Sequence, residues 1–163
     1  MIFIGIDPGL SGALAAISES GTLCFIDDTP AVLTGKRREY LVADMCRLVE
    51  KCLAYCRPFK SEPEKVVAAI ERVHSMPKQG VASTFTFGMG FGIWRGILAG
   101  LQVPVDLVDP TRWKKEILNG MPREKESSRV RAQQLFPGAG LDRKKDHGRA
   151  DALLIAEWRR RQG

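Results

Sequence analysis

The 163 residues predict one α/β domain built on a mixed β-sheet. Three observations lead there. The chain opens on a short apolar strand that runs into an acid and a glycine turn. A second apolar run, residues 66–70, reads as a strand buried in a parallel sheet. Amphipathic helical patterns fill the space between and after them.

In order, Ile2, Ile4 and Ile6 share one face of the first strand, which ends on Asp7. Pro8, Gly9, Ser11 and Gly12 break the chain at once into a tight turn. Residues 13–17 and 22–26 form two further strands, joined by Glu19, Ser20 and Gly21 as an antiparallel hairpin. Residues 28–37 read as a polar loop. From 38 to about 56 an apolar stripe (Leu41, Met45, Leu48, Cys52) predicts an amphipathic helix, ended by Pro58 and Pro63. The strand at 66–70 ends on Glu71, and the loop RVHSMPKQG follows it. Gly88, Gly92, Gly96 and Gly100 are then four residues apart, a bare strip on a helix. Each interior glycine costs about 0.8–1.0 kcal/mol relative to alanine, so a close contact must offset the loss. That contact is either the domain's own sheet or a second copy across a dimer axis. Residues 103–108 form another strand. Helices follow at 112–118, with Asp109 or Thr111 as its cap and Pro110 at its start, at 122–136, and from His147 onward.

A net charge of +6 and a pI of about 9.4 point to an anionic partner, nucleic acid before membrane. Arg95 and the glycines interrupt the longest apolar stretch, which excludes a membrane span there. Residues 2–6 are too short for the apolar core of a secretory signal. Cys24, Cys46, Cys52 and Cys56 form no CxxC pair, and Cys52 and Cys56, one helical turn apart, read as core thiols. Reduced cysteines in a cytoplasmic protein are the expectation.

One acid after a strand is an ordinary hairpin cap, but two in a small domain outline a site, because ligands collect at the carboxyl ends of the strands. Asp7 and Glu71 are those acids. His147 and Asp151 share a helical face at i and i+4, whereas Asp146 lies about 140° from Asp151 and joins them only if the helix begins after it. A set of three or four ligands, mostly carboxylates, suits one or two Mg²⁺ or Mn²⁺ ions better than zinc. Two such ions about 3.5–4 Å apart serve phosphodiester hydrolysis. The basic run of Arg123, Lys125, Arg129 and Arg131 is by default a solvated face, and beside such a site a phosphate track.

The blocks IGIDPGLSGALA, VVAAIERV and HGRADALLIAEW resemble the RuvC-type Holliday-junction resolvases. The middle of the chain, with FGMGFGIWRGIL and VDPTRWKKEIL, is closer to the phage and chloroplast branch. The resemblance implies an RNase H-like fold with a five-stranded mixed sheet, a homodimer, and paired Mg²⁺-dependent nicks across a four-way DNA junction. It makes Asp7, Glu71 and Asp151 metal-binding acids. Bacterial members place a fourth ligand three residues before the last acid, which here is Gly148; His147 or Asp146 must substitute, and helical geometry favours His147. Lys114 matches the family's basic residue near the scissile phosphate, with Lys115, Lys125 and Arg129 as further DNA contacts. Residues 73–76, with His74 among them, are candidates for insertion at the junction centre. Trp94, Trp113 and Trp158 read as core or interface. No membrane partner and no nucleotide cofactor are expected. Two rival functions remain at this stage: an actin-like ATP-binding domain, which needs a longer chain, and a branched-DNA scaffold that does not cut.

Overall fold

Apolar residues on both sides of the first strand dictate a central place for it. In the computed structural model, which describes residues 1–35, 37–56, 65–72, 80–124, 126–143 and 145–163, β1 (Ile2–Asp7) is the middle of a five-stranded sheet. β2 (Ala13–Ser18) and β3 (Leu23–Asp28) extend it antiparallel on one side. β6 (Val66–Glu71) and β7 (Val105–Val108) extend it parallel on the other, giving the order β3-β2-β1-β6-β7. A separate hairpin pairs β4 (Ala31–Thr34) with β5 (Arg37–Tyr40).

The two faces of β1 differ in bulk, and the helices follow that difference. Ile2, Ile4 and Ile6 pack with α1 (Val42–Cys56) and α2 (Val81–Gly100) through Met45, Val49, Trp94 and Leu98. Each such fully buried side chain contributes about 1.5–3 kcal/mol. On the other face lie α3 (Pro110–Ile117), α4 (Ser127–Leu135) and α5 (His147–Arg161), with Phe3, Ala13, Ala15 and Ala69 beneath them. Small residues prevail there because α5 lies almost on the strand. A Cβ at Gly5 would stand 2.0 Å from the Ala152 carbonyl oxygen and 2.3 Å from the Ala156 nitrogen. A Cβ at Gly148 would stand 2.2 Å from the Ser11 carbonyl oxygen and 2.7 Å from the Gly12 Cα. Glycine and alanine therefore set the depth at which α5 docks on β1 and its turn.

The mixed sheet, the acids at two strand ends and the final helix agree with expectation. Several local readings do not. Residues 31–34 and 37–40 form the hairpin rather than a polar loop, and α1 begins at Val42, not at 38. The hairpin is exposed almost throughout, so it lacks the apolar alternation that marks a strand. The Asp109 side chain makes no capping hydrogen bond to α3; it faces Arg72 at 3.8 Å, while Pro110 does begin the helix. All the glycines from Gly88 to Gly100 lie inside α2. The strip Gly88, Gly92, Gly96 and Gly100 does not pack on the domain's own sheet: among the described residues nothing lies within 4 Å of a Cβ at any of the four. Of the α2 glycines, Gly90 is the one that makes a close approach among the described residues. Cys52 and Cys56 are buried and in no disulfide, as read, and no described helix is long and apolar enough to cross a membrane. Pro58, Pro63, Lys125 and residues 73–79, including His74, lie outside the described residues.

Candidate active site

Parallel pairing of β1 with β6 brings the first two acids together. Ile6 pairs with Ile70, so Asp7 and Glu71 are the next residues on adjacent strands, at the same edge of the sheet. The turn after Asp7 folds back through the Gly12 N–H to the Gly9 carbonyl at 2.9 Å, and the Gly9 N–H donates to Asp7 Oδ1 at 3.1 Å. Gly12 permits this closure, since a Cβ there would lie 2.1 Å from the Asp7 carbonyl oxygen. The third acid, Asp151, comes from α5, whose first turn rests on that same loop through Gly148.

The electrostatics are those of like charges gathered in a recess. Burial, followed by the Asp151 charge and more weakly by Glu71, pushes the Asp7 carboxyl up to about 7; the Gly9 N–H and Lys114 oppose this. Burial also raises Glu71, with the Asp151 charge adding to it, against the Trp113 hydrogen bond and Lys114. Asp151 is raised by burial, against Lys114, a Ser128 hydrogen bond and His147. Asp151 Oδ1 is buried and has no hydrogen-bond partner among the described residues. A buried orphan carboxylate oxygen is costly unless a cation or proton donor meets it. Three carboxylates whose proton affinity is raised by burial, with the Asp151 charge adding to that of Asp7 and Glu71, and one of them with an orphan oxygen, have the donor chemistry of a hard divalent cation site. Among the described residues no three such side chains already stand close enough to enclose an ion.

The cations divide in two. Lys114 acts on all three carboxylates, with its Nζ 5.1 Å from the Trp113 ring centroid. Lys115 is exposed on the same helix. Arg129 is not presented as a free cation: it donates to Glu126 Oε2 at 2.7 and 2.8 Å and to the Leu141 carbonyl at 3.2 Å. Lys125 is outside the described residues.

The two candidates for a fourth ligand also separate. α5 begins at His147, so the geometric condition on Asp146 is met, but its carboxylate is already engaged. Arg143 donates to it three times, from the backbone N–H at 2.8 Å and from the guanidinium at 2.9 and 2.6 Å. Burial raises its carboxyl but those bonds outweigh it, leaving the group below its ordinary value, and only 1% of Asp146 is exposed. The structure therefore commits Asp146 to holding the loop before α5. His147 has its Nε2 3.2 Å from Glu126 Oε1, and its charge acts on Asp151.

Trp113, read from its spacing as core or interface, is fully buried and has a polar task as well. Its indole N–H donates to Glu71 Oε2 at 2.7 Å. Glu126 joins Arg129 to His147, and Ser128 bonds Asp151. The WKK block drew attention for its lysines. Nothing in its spacing marks the indole as a partner of an acid more than 40 residues earlier.

No family model matches the chain. It is 34% identical over 127 residues to the chloroplastic Holliday junction resolvase MOC1 of Chlamydomonas reinhardtii, a match covering 76% of the chain but only 14% of that protein. Among solved structures it is similar to Thermus thermophilus RuvC in complex with a Holliday junction substrate. The TM-score is 0.64 at 20% identity, over 100% of this chain and 96% of that one. A second Thermus thermophilus RuvC structure gives 0.65 at 19% identity, over 100% and 97%. The fold is thus that of RuvC, in agreement with the RNase H-like expectation, and the resemblance read from the motifs is borne out.

Proposed function

We propose that the chain is a RuvC-type, structure-specific endodeoxyribonuclease that resolves four-way DNA junctions. The carrying observation is the recess of Asp7, Glu71 and Asp151, with the orphan Asp151 oxygen inside it and Lys114 facing it. Likeness to a Holliday junction resolvase supports the substrate class. In this reading the three carboxylates hold Mg²⁺, or Mn²⁺ in its place, as one or two ions. When bound, such ions lower the pKa of water and stabilise the leaving 3′-oxygen.

The protein's own groups do the rest. Asp7 and Glu71 are fixed by the sheet, and Trp113 holds one Glu71 oxygen so that the other is free for the ion. Glu126 Oε1, 3.2 Å from His147 Nε2, orients the imidazole for the fourth ligand position, an outer-shell arrangement typical of metal-bound histidine. Lys114 meets the scissile phosphate and Lys115 a neighbouring one. The open glycine strip on α2 supports a homodimer, in which a second copy supplies the close contact that the domain's own sheet does not. Its place is the compartment that holds its DNA, a prokaryotic cytoplasm or an organelle.

The test is nicking of a labelled immobile four-way junction beside a matched linear duplex, in Mg²⁺ and in EDTA. Paired, ligatable nicks on the junction alone, lost in EDTA, are expected. Equal cutting of the duplex refutes junction specificity, and binding without cutting in either Mg²⁺ or Mn²⁺ leaves a scaffold.

A further inference from the structure

Tyr40 is 8% exposed, the buried side chain of a hairpin that otherwise faces water. Its hydroxyl donates to the carbonyl of Pro8, the residue after Asp7, at 3.2 Å. Pro8 is buried, and neither bond within the turn uses that carbonyl: the Gly12 N–H goes to Gly9 and the Gly9 N–H to Asp7 Oδ1. A buried carbonyl is costly without a donor. Phenylalanine would fill the same space and leave it orphaned.

The neighbouring helix is shaped around this bond. Gly90 lies inside α2, where glycine weakens a helix relative to alanine. A Cβ there would stand 2.2 Å from the Tyr40 hydroxyl oxygen, 2.4 Å from its Cζ and 2.6 Å from the Pro8 carbonyl oxygen. Any larger residue would push donor and acceptor apart. The Phe87 ring of the same helix also reaches the turn, since a Cβ at Gly9 would lie 3.7 Å from its Cε2 and 3.5 Å from Asp7 Oδ1. Burial, followed by the Asp7 charge, pushes the Tyr40 hydroxyl up to about 12 against Arg38, so it is a donor at neutral pH.

Asp7 ends β1, so the sheet fixes its backbone, while the turn holds one carboxylate oxygen through the Gly9 N–H. The shape of the turn thus decides how the carboxylate is presented. We propose that Tyr40 is a positioning residue for Asp7: by fixing the Pro8 carbonyl it keeps the Gly9 N–H on Oδ1 and leaves Oδ2 for the cation. It acts through the backbone of the turn and not by contact with the ion. The proposal rests on the metal-nuclease reading of the three acids and adds to it a group from outside the main sheet.

The test compares wild type with Tyr40→Phe, which keeps the ring and deletes the bond, and with Gly90→Ala, which keeps the hydroxyl and displaces it. Tyr55→Phe, at an exposed tyrosine, is the control. The readouts are the Mn²⁺ Kd without DNA, exchange of the Gly9 amide in metal-free protein by NMR, and the melting temperature. Groups behind a metal ligand change its affinity by about 10–100-fold, and one acting through a turn belongs at the low end. Both variants should bind Mn²⁺ about tenfold more weakly and exchange the Gly9 amide at least about fivefold faster, with Tyr55→Phe as wild type. Junction nicking should need about tenfold more Mg²⁺ and reach the wild-type rate at saturation. A tyrosine that only fills space would lower the melting temperature and leave the Mn²⁺ Kd unchanged; that result in Tyr40→Phe overturns the proposal. So does a Gly9 amide that exchanges no faster in Tyr40→Phe. Where either variant fails to fold, the other decides. A wild type that binds no Mn²⁺, or binds it no better than Asp7→Asn does, refutes the metal reading and the inference with it. A wild type that binds Mn²⁺ through Asp7, with Tyr40→Phe its equal, refutes the inference alone.

Discussion

Replacing Gly148 with alanine tests whether the departure from the usual fourth-ligand position is dictated by packing. On an open helix the change would stabilise by about 0.8–1.0 kcal/mol. Here the new Cβ would stand 2.2 Å from the Ser11 carbonyl oxygen, where ordinary contact begins at 3.4 Å, a deficit of 1.2 Å. Its other neighbours are the Gly12 Cα at 2.7 Å and Gly12 C at 3.0 Å, so backbone must move against backbone. Overpacking of this kind costs about 1–3 kcal/mol, and with no flexible side chain to yield, the upper end applies. Less the helix gain, the net loss is about 2 kcal/mol, or about 4–8 °C in Tm for a chain of this length. Urea denaturation should show a lower midpoint at an unchanged slope. Gly148→Asp, which supplies a carboxylate at the usual position, should be at least as unstable and should bind Mn²⁺ no more tightly than wild type. If Gly148→Ala proves as stable as wild type, α5 does not rest on the turn as described. If Gly148→Asp gains metal affinity, His147 loses its claim.

Two further predictions concern the acids and their supports. Asp7 has a folded-state carboxyl at about 7 against an ordinary 3.8, so the folded state holds the proton more tightly than the unfolded chain. Its contribution is complete below about pH 4 and lost as pH rises through about 7, and Glu71 and Asp151 act in the same direction. The metal-free protein should therefore melt lower at pH 8 than at pH 5.5. Mg²⁺ should restore the difference, and Asp7→Asn should flatten the profile while keeping junction binding and abolishing cleavage. A melting temperature that rises from pH 5.5 to 8 without metal, or cleavage by the variant, contradicts the assignment. Trp113→Phe keeps the buried ring but deletes the 2.7 Å bond to Glu71. The Mg²⁺ concentration for half-maximal nicking should rise about 10–100-fold with junction affinity in EDTA unchanged, and an unaltered metal requirement would deny Trp113 its positioning role.

Those features that sequence conveys are the ones encoded within a few neighbouring residues. Alternation and a following turn identify the strand ending at Asp7, an apolar run identifies the one ending at Glu71, and helical spacing places His147 with Asp151. Contacts between distant segments are a different matter. Nothing near Asp146 announces that Arg143 will occupy its carboxylate, since any exposed arginine three residues away looks the same. The β4–β5 hairpin escapes notice because Arg37, Arg38 and Glu39 face water and only Tyr40 is buried. The glycine strip is visible, but its periodicity does not say what lies opposite; the fold answers that it is not the domain's own sheet. Trp113 is legible as core and illegible as a hydrogen-bond donor, because its partner is set by the pairing of β6 with β7 and the path of α3.

The docking of α5 on β1 has a consequence for when the three acids come together. Asp7 lies near the start of the chain, whereas Asp151 sits on the last element described, and the two meet because Gly5, Ala152, Ala156 and Gly148 let first and last elements touch. Such a contact spans nearly the whole chain and cannot form while α5 is still unmade. A ribosome-bound chain that has not yet released this helix carries two acids of the three and an uncovered sheet face. The three acids therefore come together only once α5 has docked on β1 and its turn, so the candidate site depends on packing between the first and last described elements.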